Sequence, residues 1–492
     1  MTGRPSLPRL PLSRVSLLLL GLVVGAPTAA WSQEPSTRPT RTDVAIALMR
    51  FEQALERAAL VPAERAEVNR AFDRATLAFF AGDRVGTLRQ VDALTLRLLG
   101  LSEDPAARAA LRLRLRLDPP GPRAEGEPTL RIEPLYPLDP LGDGPVPNRT
   151  ARLLLQDASG RGATPIELTT EALTGPSLSV ALRPLPEGLH HLRLVLPGIE
   201  GAPLPAASYA SGAPDLDAAR AALSARLEAL PPTEDPAQVR ARAGAAARLG
   251  LLGARPDEED TAQSLQDPLA LLGELEQELE ALAAGRDPYH RRPGEQWRAF
   301  RLEPAGGRAA QWVRYRVQAP PAALEAGARL PVLIAFHGYQ GDENMFRFAY
   351  GRGALFRLAA EAGLLLVTPR TEPFLRAPAA LERLLDELAC DYPLDRGRVW
   401  LLGHSMGAQA AALLARQRPE RLAGVVVFAG GPMGGDVPTR AFVGELDIAG
   451  GLVRRGGAVE VLEGYGHTLG VGPHLPQALE WLRGLPPRKV WY

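Results

Sequence analysis

At 492 residues the chain is too long for one hydrophobic core, so two to four domains are expected. Hydrophobic residues at 46% and charged residues at 23% give an ordinary globular balance. Fifty-six basic and 56 acidic residues leave a formal net charge of +0, which excludes strong steering toward nucleic acid or an anionic membrane.

The N-terminus carries Arg4, Arg9 and Arg14 without acids, then an apolar run over 15–24 and small residues over 25–30. This is the order and proportion of a secretory signal peptide, spanning residues 1–32 and cleaved after Ala30 or Ser32. A secreted or periplasmic protein is expected, and loss of a segment with three Arg and no acid takes the net charge to −3. An uncleaved anchor is the alternative. The apolar run is about half the ~20 residues that a spanning helix needs, so no stable membrane span is expected after cleavage. Cys390 is the single cysteine, which rules out an intrachain disulfide. Set in L-A-C-D-Y-P with no His or Gly-rich turn beside it, it reads as a buried structural thiol.

Residues 33–41 are polar and Pro-rich and read as a tether. A helical domain over 42–100 follows, with Ala45, Leu48, Phe51 and Leu55 on one face and Val68, Phe72 and Phe79 on another. Pro62 suits the first turn of a second helix, and Gly82, Asp83 and Gly100 bound a third. Residues 111–117 alternate Leu and Arg with period two, and short strand patterns recur at 129–132, 152–156, 178–182 and 191–196. These predict a small β-sandwich-like domain over 111–200. His190 and His191 are adjacent on a strand and face opposite sides, so they do not form a metal site. A helical connector over 214–285 is expected, with helices at 216–230, 236–252 and 261–284. The chain has no CxxC, HExxH or P-loop, and no metal or cofactor is expected. From about Trp297 strands and helices alternate. Apolar strand runs of four or five residues suit a mostly parallel sheet with helices on both faces, filling a domain over 296–492.

The chemistry centres on G-H-S-M-G at 403–407, between a strand over 399–402 and a helix starting near Met406. In that setting G-x-S-x-G is a strained strand-to-helix turn that lifts the Ser405 hydroxyl above the sheet. A serine hydroxyl needs a proton acceptor poised near neutral pH, so the base is a His. Only His467 and His474 follow Ser405. His467 lies just past a strand over 459–462, where such a loop belongs, whereas His474 beside Pro473 reads as surface or capping. Asp447 in G-E-L-D is the carboxylate expected to orient the imidazole, with Glu445 as its rival. Two backbone N–H groups are expected to form the oxyanion hole, those of Met406 and of Tyr339 in the loop after strand 332–336. His337 in that loop precedes the serine and is expected to serve the loop's architecture.

The H-G-Y-Q-G-D-E-N-M-F loop, D-R-G-R-V-W-L-L-G-H-S-M-G, G-E-x-D and Y-G-H together resemble α/β-hydrolase serine esterases. The resemblance is to carboxylesterase, dienelactone hydrolase and polyhydroxybutyrate depolymerase-like groups, and to prolyl oligopeptidase catalytic domains. It covers residues 296–485 and leaves 42–290 outside. The order Ser405, Asp447, His467 is the one this fold uses. The resemblance implies a serine hydrolase that cleaves small-molecule or polymer esters through an acyl-enzyme, and the N-terminal segment adds the expectation that it is exported. A serine peptidase of prolyl oligopeptidase type, or a binding protein on a relic hydrolase fold, are the alternatives. Little chain separates the strands at 425–428 and 441–443, so no helical lid is inserted there and the site is open or roofed by the upstream domains. Every catalytic element lies between Val332 and His467, which predicts that residues 288–492 fold and act alone.

Overall fold

A computed structural model of the chain describes residues 38–118, 129–137, 150–157, 165–169, 177–182, 188–199, 204, 206–211, 216–250, 252, 268–303, 310–377, 379–430, 435–447 and 459–489. The chain divides into two units, 1–38 and 39–492, and all the elements described belong to the second. The expected signal peptide lies outside the described residues.

Three helices open the fold: α1 (Arg41–Arg57), α2 (Pro62–Phe80) and α3 (Arg84–Leu98). Thr40 and Asp43 close α1 with a reciprocal capping box. Pro62 stands in the first turn of α2, and Asp83 accepts the Gly86 N–H at the start of α3. Val44, Ala47, Phe51, Val68, Phe72, Leu88 and Val91 bury against one another, with the Phe51 and Phe72 rings stacked at 5.0 Å. That core also takes in Leu469, from near the far end of the chain. A fourth helix, α4 (Pro105–Leu111), claims Leu111, so the Leu–Arg alternation becomes strand only from Leu113. Asp104 decides this, since its carboxylate accepts the Ala106 and Ala107 N–H groups and caps the helix.

Among the described residues seven antiparallel strands follow in two sheets. One has the order β1-β2-β5, from β1 (Leu113–Asp118), β2 (Thr129–Pro134) and β5 (Leu178–Ala181). The other has the order β4-β3-β6-β7, from β3 (Thr150–Asp157), β4 (Ile166–Thr169), β6 (Gly188–Val195) and β7 (Ala206–Ser211). Leu113, Leu130 and Ile132 of the first share a core with Leu153, Leu192 and Leu194 of the second. Strands β4 and β7 lie outside the predicted segments: I-E-L-T is short, and A-A-S-Y-A-S has no apolar alternation to reveal it.

Helices α5 (Leu216–Glu228), α6 (Pro236–Leu249) and α7 (Pro268–Ala283) bury Leu223, Ala245, Leu275 and Leu279 together. Residues 261–267 of the third expected helix lie outside the described residues. Tyr289 and Trp297 complete this core. Tyr289, just past residue 288 where the self-sufficient fragment was expected to begin, thus packs into the helices. Tyr289 hydroxyl donates to Glu278, and buried Arg248 donates to both.

The main sheet has eight strands in the order β8-β9-β11-β10-β12-β13-β14-β15. They are β8 (Gly294–Leu302), β9 (Gln311–Ala319), β10 (Leu330–Phe336), β11 (Leu365–Pro369), β12 (Leu394–His404), β13 (Gly424–Phe428), β14 (Thr439–Gly444) and β15 (Val459–Leu462). β8 and β9 run antiparallel and the other six are mutually parallel. β8 escapes the sequence reading because Arg298 interrupts its apolar run. That arginine is buried against Asp391 of helix α11 (Ala379–Asp391). Arg240 of α6 joins Glu387 and Asp391 in the same buried cluster. Between β10 and β12 lie α8 (Met345–Phe348), α9 (Ala354–Glu361) and α10 (Glu372–Arg376). α12 (Met406–Gln417) follows β12, and α13 (Val471–Gly484) follows β15. One sheet face buries Ile334, Leu401 and Val427 under α10, α11 and α12, and the other buries Leu333, Leu402 and Val426 under α9 and α13. Alternate strand residues thus serve opposite faces, as parallel strands covered on both sides require. Cys390 is exposed rather than buried. It stands two residues past buried Leu388, about 200° around α11 from the face that packs.

Candidate active site

β12 lies inside the sheet, paired with β10 and β13, and its end carries Ser405 into the turn before α12. Ser405 has φ 55° and ψ −114°, a conformation that costs energy for a non-glycine residue and holds the hydroxyl clear of the sheet. Glycines make the turn possible. A Cβ on Gly407 would sit 2.0 Å from the Phe336 carbonyl oxygen, and one on Gly403 would sit 2.2 Å from that of Gly407.

The turn brings together three of the predicted residues. His467 Nε2 stands 2.9 Å from Ser405 Oγ, and His467 Nδ1 stands 3.1 Å from Asp447 Oδ2. Asp447 is buried and accepts from Nδ1–H, which leaves Nε2 to accept the serine proton. Glu445 accepts the Gly464 N–H at 3.0 Å and so shapes the loop leading to His467. His474 is half-buried, neither surface nor cap: its Nδ1 donates to Gly470 O within the first turn of α13, and its ring packs on Phe442 and Tyr465.

The loop after β10 runs beside the serine, since a Cβ on Gly338 would lie 3.5 Å from Ser405 Cβ. Tyr339 belongs to this loop, and Met406 opens the first turn of α12, whose N–H groups have no partner within the helix. His337 is buried. Thr371 N–H donates to its Nε2 at 3.1 Å, so Nδ1 carries the proton and donates to Gly338 O at 2.8 Å. Burial lowers its pKa, in keeping with a neutral ring that braces the loop. Glu343 anchors the same loop from below, accepting from Trp297 Nε1 and pairing with Arg314, each at 3.0 Å.

Other residues hold the site in place and carry little sequence signal. His404 Nε2–H donates to the His467 carbonyl at 3.0 Å, and its Nδ1 accepts from Tyr350 hydroxyl at 2.7 Å. Burial pushes the His404 pKa down to about 3, so this ring stays neutral. From α2, Asp73 accepts the His467 N–H at 3.2 Å and Asn69 accepts the Gly466 N–H at 2.8 Å. The peptide groups on both sides of His467 are thus tied down, one by the sheet and one by an upstream helix. His404 could have been suspected from its place in the G-x-S-x-G motif. Asn69 and Asp73 look like ordinary polar positions of an amphipathic helix.

α1 makes a similar attachment. Tyr350, Gly351, Arg352 and Gly353 all have positive φ, from 50° to 83°. The N–H groups of the first three converge on the Glu52 carboxylate at 3.0–3.1 Å. Such a concavity of backbone donors binds anions, and here the anion belongs to the chain itself. Burial nevertheless raises the Glu52 pKa from 4.5 to about 7. The folded protein then holds a proton there that the unfolded chain has released, so this group's contribution to stability falls as pH rises from 4.5 through 7. His404, with its lowered pKa, contributes in the opposite sense, losing stability as pH falls from 6.5 toward 3. Glu52→Gln should flatten the alkaline-going decline in melting temperature between pH 5 and 8 relative to the native chain. An unchanged slope would show that Glu52 does not titrate in this range.

A cavity of about 180 Å³ opens between α1, α2 and the loop after β10, with Ser405 and His467 on its wall. Tyr339 reaches up to Phe80 of α2, ring centroids 5.6 Å apart, and Arg41 donates to Gln340 O at 2.8 Å. The roof is therefore the N-terminal helices.

No family model and no curated protein matches this chain. Similar solved structures include an S-formylglutathione hydrolase from Agrobacterium tumefaciens, 17% identical with a TM-score of 0.31 over 38% of this chain and 95% of that one. A thermostable esterase is 21% identical, TM-score 0.31, over 38% of this chain and 63% of its own. A fluorophosphonate-binding serine hydrolase of Staphylococcus aureus is 13% identical, TM-score 0.31, over 38% and 98%. Among the described residues no helix is long and apolar enough to cross a membrane, and no group of three or more His, Cys, Asp or Glu is placed to hold a metal ion.

Proposed function

We propose that the protein is an exported serine hydrolase of the α/β-hydrolase type that cleaves carboxylic esters. The observation that carries this reading is the chain of contacts from Ser405 Oγ to His467 Nε2 and from His467 Nδ1 to Asp447, at 2.9 and 3.1 Å, on a strained turn. Ser405 Oγ attacks the ester carbonyl and its proton passes to His467 Nε2. The N–H groups of Met406 and Tyr339 receive the oxyanion. The tetrahedral intermediate expels the alcohol, which takes the proton from His467. Water then attacks the acyl-enzyme with His467 again as base, releasing the carboxylic acid and the serine. Asp447 stays ionised throughout. Export rests on the pattern of residues 1–32.

The test sets short p-nitrophenyl esters against peptide amides, with a fluorophosphonate probe for the nucleophile. Labelling of Ser405 and turnover of the esters alone is the expected result. Turnover of the amides would establish the peptidase, and a protein that neither labels nor turns over either class is a relic fold.

A further inference from the structure

We infer that helices α1 and α2 form the acyl pocket, and that the substrate carries an apolar acyl group of short to medium length. This rests on the ester-hydrolase reading of Ser405. The cavity beside that serine is lined by Ala45 and Leu48 of α1, Phe72 and Phe79 of α2, and Met345 and Phe348 of α8. Three polar side chains on the same wall are engaged with backbone carbonyls. Thr76 hydroxyl donates to Phe72 O, Thr87 hydroxyl to Asp83 O, and Arg41 to Gln340 O. Along α1 and α2 a hydroxylated or charged acyl group would lose water and find few partners, the polar Asp342 and Asn344 belonging to the loop after β10.

Two features choose the acyl side over the alcohol. Most of the wall outside α1 to α3 comes from the loop after β10 and from α8, and in the proposed mechanism that loop holds the oxyanion, so it lies against the acyl carbonyl. His467 and Thr468 alone come from the loop that must release the alcohol. A cavity of about 180 Å³ is below the usual range of ligand pockets and favours a short or medium acyl chain over a long lipid chain.

Ethyl hexanoate and hexyl acetate are isomers that differ only in which side of the ester is long. With the full native chain, kcat/KM for ethyl hexanoate should exceed that for hexyl acetate at least tenfold, and p-nitrophenyl hexanoate should exceed both the acetate and the dodecanoate. Ala45→Phe fills the cavity from α1, and the hexanoate-to-acetate ratio should fall at least tenfold. Phe348→Ala enlarges it from the opposite wall, and the preferred acyl chain should lengthen. Ala45 and Phe348 are both half-buried, and fluorophosphonate labelling of Ser405 reports whether each variant has kept its site. A preference for hexyl acetate, or a ratio that neither variant moves while labelling persists, would overturn the inference and leave the ester-hydrolase reading standing. A native chain that labels but turns over no ester overturns that reading, and the pocket assignment with it.

Discussion

Ser405→Ala should lower kcat on a small activated ester by ~10⁴–10⁶ while the melting temperature stays within a few degrees of the native value. The size of the loss follows from the proposed covalent route, which the variant cannot enter, leaving only binding and the proposed oxyanion donors. The fold should persist because the strain of the turn is carried by backbone. Ser405 N–H donates to Phe428 O at 2.9 Å, and the flanking glycines set the close approach to Phe336. His467→Ala should be equally damaging, and Asp447→Asn should cost up to ~10⁴ by permitting the wrong tautomer. Gly407→Ala would separate the two roles. A methyl 2.0 Å from the Phe336 carbonyl oxygen forces β10 and α12 apart, so this variant should lose fold and activity together. Kinetics of the purified variants with circular dichroism as a control decide the matter. A Ser405→Ala protein within tenfold of native activity would remove Ser405 from the mechanism.

The second large effect concerns truncation. A chain beginning at residue 288 should be insoluble or inactive. It would lose α6 and with it Arg240, leaving Glu387 and Asp391 buried with less positive charge beside them. Breaking a buried ion pair from one side costs about 3–5 kcal/mol. Trp297, fully buried against α5–α7, would face water, at a further cost of about 2 kcal/mol on the scale of large apolar side chains. Together these consume much of the ~5–15 kcal/mol that holds a typical domain. A chain beginning at residue 214 keeps both contacts and should be soluble. Without α1 and α2 it lacks Asp73 on His467, Glu52 in the 350–352 turn and the roof of the cavity, so its ester turnover should still fall at least a hundredfold. Sedimentation and ester assays on both chains test this. A soluble, active 288–492 fragment would mean that the upstream half is dispensable.

The reach of sequence reading here depended on what kind of signal each residue carried. The grouping of Ser405, His467 and Asp447 was legible because the chemistry expected of them confines each to a strand's end in a known order, and unalternated apolar runs marked the parallel strands around them. Strand β8 was hidden by Arg298, a charge whose partner lies 93 residues away. The α5–α7 connection was hidden in the same way, because Arg240 and Asp391 are 151 residues apart and neither is unusual in its own segment. Asp73 and Glu52 look like solvated helix residues, and only the tertiary fold reveals that they face backbone N–H groups of the loops around the site. The upstream helices were legible as helices. What they cover was not, because Phe79 and Phe80 at the edge of an amphipathic pattern say nothing of the surface they meet.

The separation between Asp73 and His467, 394 residues, also fixes an order of events. During synthesis at ~5–20 residues per second, α2 exists for about 20–80 s before the segment it must hold has been made. The backbone around His467 can take the form described here only after that segment has emerged and met the waiting Asp73.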